Sequence, residues 1–340
     1  MTGPSLAAVI SNYNYGRYVG QALDSVLNQI QPFDEVVVVD DGSTDDSPSV
    51  LARYADMPRL RVLRIPNGGQ LGAVRTGIAA SQCDYIYTLD ADDFAAANLV
   101  ESVRPLLGRE PAKVVFQLHA VNEDGSPLNS VFPIFPTNYN SSAMIEDNEG
   151  LGYYISPPTS ANVFSRRALE RLGYEAFNSR GAFDGTPSLC MPYMGEIVVL
   201  PQPLAYYRVH IGSLSDWSNP TTELLRREID IFFQTWAEAA PALGFDTLPF
   251  AASQPLYVRE RHLMIACNEN RLFILPQVWG YVSKLLATNL TAKEKLVLTA
   301  WAVSLLVPVS ALRSRAMRMR RSSVNRSRRL QALLNFLLRK

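Results

Sequence analysis

The sequence contains little cysteine. Cys83, Cys190 and Cys267 are the three thiols in 340 residues, and they lie far apart along the chain. An odd number of cysteines at wide spacing supplies neither a disulfide framework nor the ligand spacing of a zinc site. Free thiols fit a reducing compartment, so we expect a cytoplasmic protein.

The sequence also lacks a secretion signal and a long apolar run. Its N-terminus has no basic region and reaches strand-like sequence by Leu6, so no signal peptide is expected. The longest uncharged run, Leu296–Leu312, has 17 residues and is interrupted by Pro308 and by hydroxyl side chains. Such a run is at the lower limit for crossing a bilayer, and lying in the membrane interface is the favoured alternative.

Charge is balanced overall but unevenly distributed. The 32 basic residues equal the 32 acidic ones, yet residues 313–340 hold ten Lys or Arg and no acid. This leaves a net charge of −10 on residues 1–312. The asymmetry indicates a catalytic body with a basic tail that seeks an anionic surface.

The first hundred residues alternate between two patterns. Apolar runs at 6–11, 35–39, 60–65 and 85–89 indicate buried strands, and helical spacing occurs at 17–30 and 70–80. This succession predicts an α/β fold with a mainly parallel sheet and helices on both faces. Ligands of such sheets bind beyond the carboxyl ends of the strands. After Asn219 the pattern turns helical, and no internal repeat is found.

Polar residues follow each of the four predicted strands. They are Asn12-Tyr13-Asn14, Asp40-Asp41, Asn67-Gly68-Gly69 and Asp90–Asp93. Several carboxylates in one small space repel each other unless a cation lies between them. The acidic loop after the fourth strand therefore predicts a divalent-cation site that could hold a phosphorylated ligand.

Four segments together resemble the family 2 glycosyltransferases of the GT-A fold. They are VISNYNYGRYVGQALDSVLNQ, EVVVVDDGSTDDS, NGGQLGAVRTGI and YIYTLDADD, within residues 6–110, and a weaker resemblance continues to about Ser215. The resemblance implies a Rossmann-like GT-A domain over residues 1–218. A helical C-terminal extension, 219–312, and a basic amphipathic tail, 313–340, would follow.

The resemblance implies which residues bind a nucleotide-diphospho sugar. Tyr13 would stack on the base, and Asp40 would accept a hydrogen bond from a uracil-type ring N–H. Arg75 would point at the nucleotide or the acidic loop. The remaining implied donor-site positions are Ser11, where the family commonly has proline, Asn14, Asn67, Gly68, Asp90 and Ala91. Loop packing for Tyr13, helix capping for Asp40 and a surface ion pair for Arg75 remain open.

The resemblance also implies a Mn²⁺ or Mg²⁺ site. Asp92 would ligate the ion, Asp90 would meet the ribose or a metal-bound water, and His210 is the candidate third ligand. Arg208, on the same strand end as His210, would face the phosphates or form a surface ion pair. An acidic N-cap before the helix near Ala95 and a structural role for His210 are the alternatives.

Asp184 is the candidate catalytic base. Transfer with inversion needs a carboxylate that takes the proton of the acceptor hydroxyl. The family has an acidic pair here, followed by a helix, whereas this chain has GAFDGTP and retains only Asp184. Glu146, Asp147 and Glu175 are the other carboxylates considered, and a structural turn aspartate is the alternative.

Together these features predict a metal-dependent, inverting glycosyltransferase that uses a UDP sugar. Its acceptor would be a saccharide or lipid-linked saccharide at the cytoplasmic face of a membrane. One alternative is a non-catalytic relative that binds nucleotide sugars. Another is a sugar-phosphate nucleotidyltransferase, disfavoured because Asn12-Tyr13-Asn14 replaces a glycine-rich basic signature.

Three partners are considered for the basic tail. An anionic membrane surface is favoured, because each basic residue near such a surface contributes about 1 kcal/mol. The alternative is a helix packed on the catalytic body or on a second subunit of a homo-oligomer, since residues 330–337 are amphipathic. Nucleic acid is not expected, because the tail lacks interleaved aromatic residues.

Overall fold

The computed structural model describes residues 3–177, 186–210, 221–246, 254–269 and 272–321. Nine strands form one sheet. They are β1 (Leu6–Asn12), β2 (Glu35–Asp40), β3 (Leu60–Arg64), β4 (Tyr85–Asp90), β5 (Phe94–Ala95), β6 (Lys113–Val121), β7 (Pro127–Phe132), β8 (Asn162–Ser165) and β9 (Ile197–Arg208).

The described helices follow or separate these strands. They are α1 (Gly16–Leu27), α2 (Ser47–Ala52), α3 (Gln70–Ala80), α4 (Leu99–Leu107), α5 (Ser141–Leu151), α6 (Arg166–Leu172), α7 (Thr186–Met194), α8 (Thr222–Leu243), α9 (Leu256–Asn268), α10 (Leu275–Leu286), α11 (Ala292–Ser304) and α12 (Ser310–Arg321). None of the helices in the described ranges is long and apolar enough to cross a membrane.

The sheet has a parallel half and a mixed half. Its order is β3-β2-β1-β4-β8-β6-β9-β5, with β7 paired to β6. The first four strands are parallel to each other, as predicted. Strand β8 is antiparallel to both β4 and β6, whereas β9 runs parallel to β6. The α/β prediction is confirmed, and the antiparallel pairs in the second half make the complete sheet mixed.

Helices cover both faces of the parallel half. Leu6, Ala8 and Ile10 of β1 share a buried cluster with residues of α1 and α4. Val9 faces the opposite way, where α3 approaches so closely that a Cβ on Gly77 would lie 2.3 Å from a Val9 methyl carbon. Because alternate strand residues point to opposite faces, β1, β2 and β4 are buried on both sides and consist of apolar runs, whereas the edge strand β3 contains two arginines and is largely exposed.

The chain divides into two compact units. Among the described residues, unit 1 comprises 3–144, 155–177, 186–210 and 237–245, and the other described residues form unit 2. Unit 1 contains the sheet, and unit 2 has its own buried cluster built mainly from α9 to α12. The predicted boundary between 218 and 219 lies outside the described residues. The one between 312 and 313 falls inside α12.

The apolar run 296–312 is not one continuous interfacial segment. It forms most of α11 and the turn to α12, and Val297, Leu298, Trp301, Ala302 and Leu305 are buried in unit 2. The first part of the basic tail is packed as well. Arg313 and Met317 of α12 are buried. Part of the predicted interfacial segment therefore belongs to a protein core, whereas Leu296, Val303, Val307, Val309 and Leu312 are exposed.

Candidate active site

The carboxyl ends of β4 and β9 bring Asp92 and His210 together. Asp92 Oδ2 lies 3.0 Å from His210 Nε2, although 118 positions separate the two residues. The His210 side chain is 1% exposed and packs against the rings of Tyr15 and Tyr18. Burial, followed by the charges of Asp92 and Asp90, raises the pKa of Tyr15 far above its ordinary value. Two of the three predicted metal ligands are therefore in contact inside a partly desolvated, negatively charged pocket.

Asp93 fixes the loop that carries Asp92. Its fully buried carboxylate accepts hydrogen bonds from the Arg208 backbone N–H at 2.8 Å and from the Ser160 hydroxyl at 2.6 Å. Burial raises the pKa of Asp93 well above its ordinary value, and the charges of Asp92 and Asp90 raise it further. The Ser160 hydroxyl also accepts a hydrogen bond from the Asp90 N–H at 3.2 Å. The sequence suggested that Asp93 supports the loop or lies near the donor sugar, whereas Ser160 was not singled out.

Asp90 is oriented by two neutral donors. Its Oδ1 accepts a hydrogen bond from Gln70 Nε2 at 2.5 Å and from Ser11 Oγ at 3.2 Å. Gln70, the first residue of α3, also donates to the Thr159 hydroxyl at 3.1 Å. Gln70 was missed by the sequence analysis, although it lies within the family-like segment NGGQLGAVRTGI. Ser11 thus helps to orient Asp90 through its hydroxyl group, which a proline at this position would lack.

Asp40 lines a cavity at the end of β2. The cavity has a volume of about 370 Å³, and Val62, Leu51 and Arg64 also line it. Asp40 Oδ1 accepts from Asn12 Nδ2 at 3.1 Å, and its Oδ2 lies 3.5 Å from Arg64 Nε. At that distance Arg64 and Asp40 form an ion pair but no hydrogen bond. Among the described residues, neither Asp40 Oδ2 nor Asn12 Oδ1 has a hydrogen-bond partner, although both atoms are buried.

The second acid of the doublet has a different function from the first. Asp41 accepts hydrogen bonds from the N–H groups of Gly68 and Gly69 at 2.7 and 2.8 Å. Asn67 Nδ2 donates to the Asp41 carbonyl at 3.1 Å. Asp41 therefore holds the loop that was predicted to approach the nucleotide. The acidic doublet was recognised in the sequence, but this task of its second member was not.

Three predicted donor-site residues, Tyr13, Asn14 and Ala91, differ in exposure and in their contacts. Tyr13 is 46% exposed, so its ring is accessible. Asn14 has a positive φ of 57°, and its side-chain oxygen accepts from the N–H groups of Thr44 and Asp45. Ala91 is fully buried in the core of unit 1. Asn14 thus holds the neighbouring loop through its side-chain oxygen, and Ala91 belongs to the core. Tyr13 presents an exposed side chain.

Two arginines have neighbours different from those predicted. Arg75 donates to the carbonyls of Glu175 and Phe177 rather than pointing at the acidic loop. Arg208 is buried, and its guanidinium donates to the carbonyls of Asp92 and Glu123 and to Gln21. Within the described ranges, neither arginine forms the surface ion pair considered as the alternative. Both guanidinium groups instead donate to loop carbonyls.

The structure describes some but not all of the candidates for the catalytic base. Asp184 lies outside the described residues. Glu175 follows α6 in unit 1, whereas Glu146 and Asp147 belong to unit 2, where Glu146 accepts from Asn289 at 2.9 Å. No carboxylate in the described ranges is thereby identified as the base.

The donor set at Asp92 and His210 suits a divalent cation. A carboxylate oxygen and an imidazole nitrogen 3.0 Å apart can both reach one ion at bonding distances near about 2.2 Å. In the part of the chain that the structure describes, no group of three His, Cys, Asp or Glu side chains is arranged to hold a metal. Asp92 and His210 therefore fit two protein ligands of such a site and leave other coordination positions to a ligand or water.

Residues 7–173 match the model of the Glycosyl transferase family 2. The chain is 32% identical over 239 residues to glycosyltransferase GlyG of Streptococcus pneumoniae, covering 66% of this chain and 79% of that protein. It is 31% identical over 209 residues to an uncharacterized glycosyltransferase of Nostoc, covering 60% of this chain. The chain spans 65% of the length of the Nostoc protein.

Two solved structures have the same fold. S. aureus TarS 1-349 in complex with UDP-GlcNAc has a TM-score of 0.54 at 16% identity, over 95% of this chain and 91% of that one. The mannosyltransferase PcManGT of Pyrobaculum calidifontis, in complex with GDP-Man and Mn²⁺, has a TM-score of 0.51 at 19% identity, over 96% and 87%. The likeness confirms the predicted GT-A-like fold with a helical C-terminal part.

Proposed function

Because the chain belongs to glycosyl transferase family 2, we propose that it transfers a sugar, with inversion, from a UDP sugar to a saccharide or lipid-linked saccharide. The reaction would depend on Mn²⁺ or Mg²⁺. The observation that carries the proposal is the contact between Asp92 and His210 at the carboxyl edge of the sheet. It supplies an oxygen and a nitrogen ligand where ligands of such sheets bind.

The proposed task of the acidic loop is to hold the donor diphosphate. A divalent ion bound there would neutralise the charge that develops on the departing nucleoside diphosphate. Asp92 and His210 would provide the protein ligands, and Asp93 would keep Asp92 in place through Arg208 and Ser160. Asp90, oriented by Gln70 and Ser11, would accept a hydrogen bond from the ribose or from a metal-bound water.

The proposed nucleobase site is the cavity beside Asp40. Asp40 Oδ2 is a buried acceptor that can take the ring N–H of uracil, and Arg64 can donate to a neighbouring base carbonyl. Tyr13 is accessible for stacking. Complexes of the two structural relatives with UDP-GlcNAc and GDP-Man support a nucleotide sugar as the ligand class.

Asp184 is the proposed general base. It would accept the proton of the acceptor hydroxyl as the new bond forms, which requires an ionised carboxylate on the acceptor side of the sugar. The three cysteines are unpaired and buried, which supports the proposal of a reducing, cytoplasmic location.

Thermal unfolding with nucleotides tests the proposal. We expect UDP with Mn²⁺ to raise the melting temperature more than GDP with Mn²⁺ or UDP alone. A ligand at a hundred times its Kd adds about 2.7 kcal/mol to the stability of the native state. Asp40→Asn should weaken UDP binding about tenfold or more, because a charged acceptor in a buried site is lost.

Asp56→Asn is the matched control, since Asp56 is an exposed aspartate after α2. It should retain wild-type UDP binding. If no nucleotide stabilises the wild-type protein with either metal, the proposed function is wrong. If GDP raises the melting temperature of the protein more than UDP does, the assignment of uracil as the nucleobase is wrong.

A further inference from the structure

Exposed apolar side chains are concentrated in one part of unit 2. Of the sixteen large hydrophobic residues exposed in the described ranges, ten lie between 272 and 312. They are Leu272, Phe273, Leu275, Trp279, Leu286, Leu296, Val303, Val307, Val309 and Leu312. Trp279 is 71% exposed and Phe273 70%. Such a concentration marks an interaction surface. Exposed hydrophobic residues that need no such explanation occur singly and are scattered over the protein surface.

The exposed residues follow the helical repeat. Leu275, Trp279 and Leu286 of α10 are spaced i, i+4 and i+11, which places them along one stripe of the helix. Val278, Tyr281 and Leu285 form a different, buried stripe. On α11, Leu296 and Val303 are spaced i and i+7 and are both exposed, whereas Val297 and Trp301 are buried. Each helix therefore has one apolar face in the protein core and a second apolar face in solvent.

The same region is strongly basic. Residues 271–340 contain fourteen Lys or Arg and one acid, Glu294. Lys284, Lys293 and Lys295 lie on α10 and α11, the two helices that carry the exposed apolar stripes. The occupant of this surface must therefore bury apolar side chains and tolerate, or carry, negative charge.

We propose that the exposed surface of α10, α11 and the turn to α12 binds an anionic lipid bilayer. Apolar and aromatic side chains bordered by cations match the acyl and headgroup layers of such a membrane. The proposal goes beyond sugar transfer, and it extends the predicted membrane contact from the segment 296–312 to a surface that begins at Leu272.

Vesicle sedimentation with the full chain tests the proposal. We expect binding to vesicles of phosphatidylcholine mixed with phosphatidylglycerol, and weaker binding to phosphatidylcholine alone. Trp279→Glu should reduce binding to anionic vesicles by at least about tenfold, because it removes an inserted aromatic side chain and adds a repelled charge. High salt should weaken the wild-type interaction as well.

Ile134→Glu is the matched control. Ile134 is 63% exposed and lies after β7 in unit 1, so the change also replaces an exposed apolar side chain by a carboxylate. It should bind vesicles as the wild type does. Both variants should melt like the wild type without ligand, since both side chains are exposed.

Three results would overturn the proposal. They are absence of wild-type binding to anionic vesicles, equal effects of Trp279→Glu and Ile134→Glu, and a dimer that Trp279→Glu dissociates while vesicles bind neither form. The last result would assign the surface to a second copy of the chain. Nucleotide-induced stabilisation should be unaffected by Trp279→Glu, so a failure of this proposal is distinguishable from a failure of the proposed function.

Discussion

The two units use buried acidic residues in different ways. In unit 1, Asp90 and Asp93 accept hydrogen bonds from neutral donors, namely Gln70, Ser11, Ser160 and a backbone N–H. In unit 2, Glu260 and Glu228 are paired with guanidinium groups. Neutral donors orient a carboxylate without cancelling its charge, whereas an arginine cancels it. The first arrangement orients the acidic loop for a ligand, and the second uses opposite charges to join helices.

Glu260 is the centre of the ion network in unit 2. Its Oε2 lies 2.7 Å from Arg320 Nη2 of α12, and its Oε1 lies 3.3 Å from Arg261 Nη1. Arg261 Nε also lies 3.0 Å from Glu228. Arg320 belongs to the basic tail by sequence, yet its guanidinium is buried in this network. The tail is therefore joined to unit 2 at least as far as this residue.

Glu260→Gln should give the largest change in stability. It leaves two buried arginines without their shared counter-charge, which costs about 3–5 kcal/mol in free energy of unfolding. Chemical denaturation followed by tryptophan fluorescence measures the loss, since Trp301 lies in the same unit.

Glu269→Gln is the control for that change. It breaks the ion pair between Glu269 and Arg226, whose side chains are 27% and 64% exposed, and should cost less than about 1 kcal/mol. Equal losses for the two variants would show that burial does not distinguish these ion pairs.

Gln70→Leu tests the neutral-donor arrangement in unit 1. It removes the hydrogen bond to Asp90 and should weaken donor binding about tenfold, because bonds to charged acceptors contribute about 1.5–3 kcal/mol. Titration of the nucleotide in the presence of Mn²⁺ measures the effect. Thr76→Val, on the same helix and bonded to the Gly72 carbonyl, should leave donor binding unchanged. Unchanged binding in Gln70→Leu would contradict a role for Gln70 in orienting Asp90.

The sequence predicted the parallel half of the sheet well and the mixed half poorly. Strands β1, β2 and β4 are apolar runs and β3 combines apolar with basic residues, so their signals are local. Strand β9 begins with the apolar run Ile197–Leu200, which Pro201 and Pro203 interrupt. It continues to Arg208, and the pairing with β6 shifts register between Phe116 and Leu118. Proline is tolerated at such irregularities, and this cannot be read without the partner strand.

Sequence-based prediction of the candidate site has the same limit as prediction of the sheet. Asp92 and His210 were predicted as partners through the family resemblance, and their contact is present in the structure. The tasks of Asp41 and Gln70 were missed, because each side chain bonds a backbone or side-chain group whose position depends on the complete fold. Sequence patterns located the acidic loop but not the groups that orient it.

The central claim is that Asp92 and His210 hold the metal that binds the donor diphosphate. Titration of Mn²⁺ in the presence of UDP, followed by electron paramagnetic resonance, tests it most directly. Asp92→Asn and His210→Gln should each weaken Mn²⁺ binding by about tenfold to a hundredfold, and Asp56→Asn should not change it. Wild-type Mn²⁺ affinity in both site variants would contradict the account.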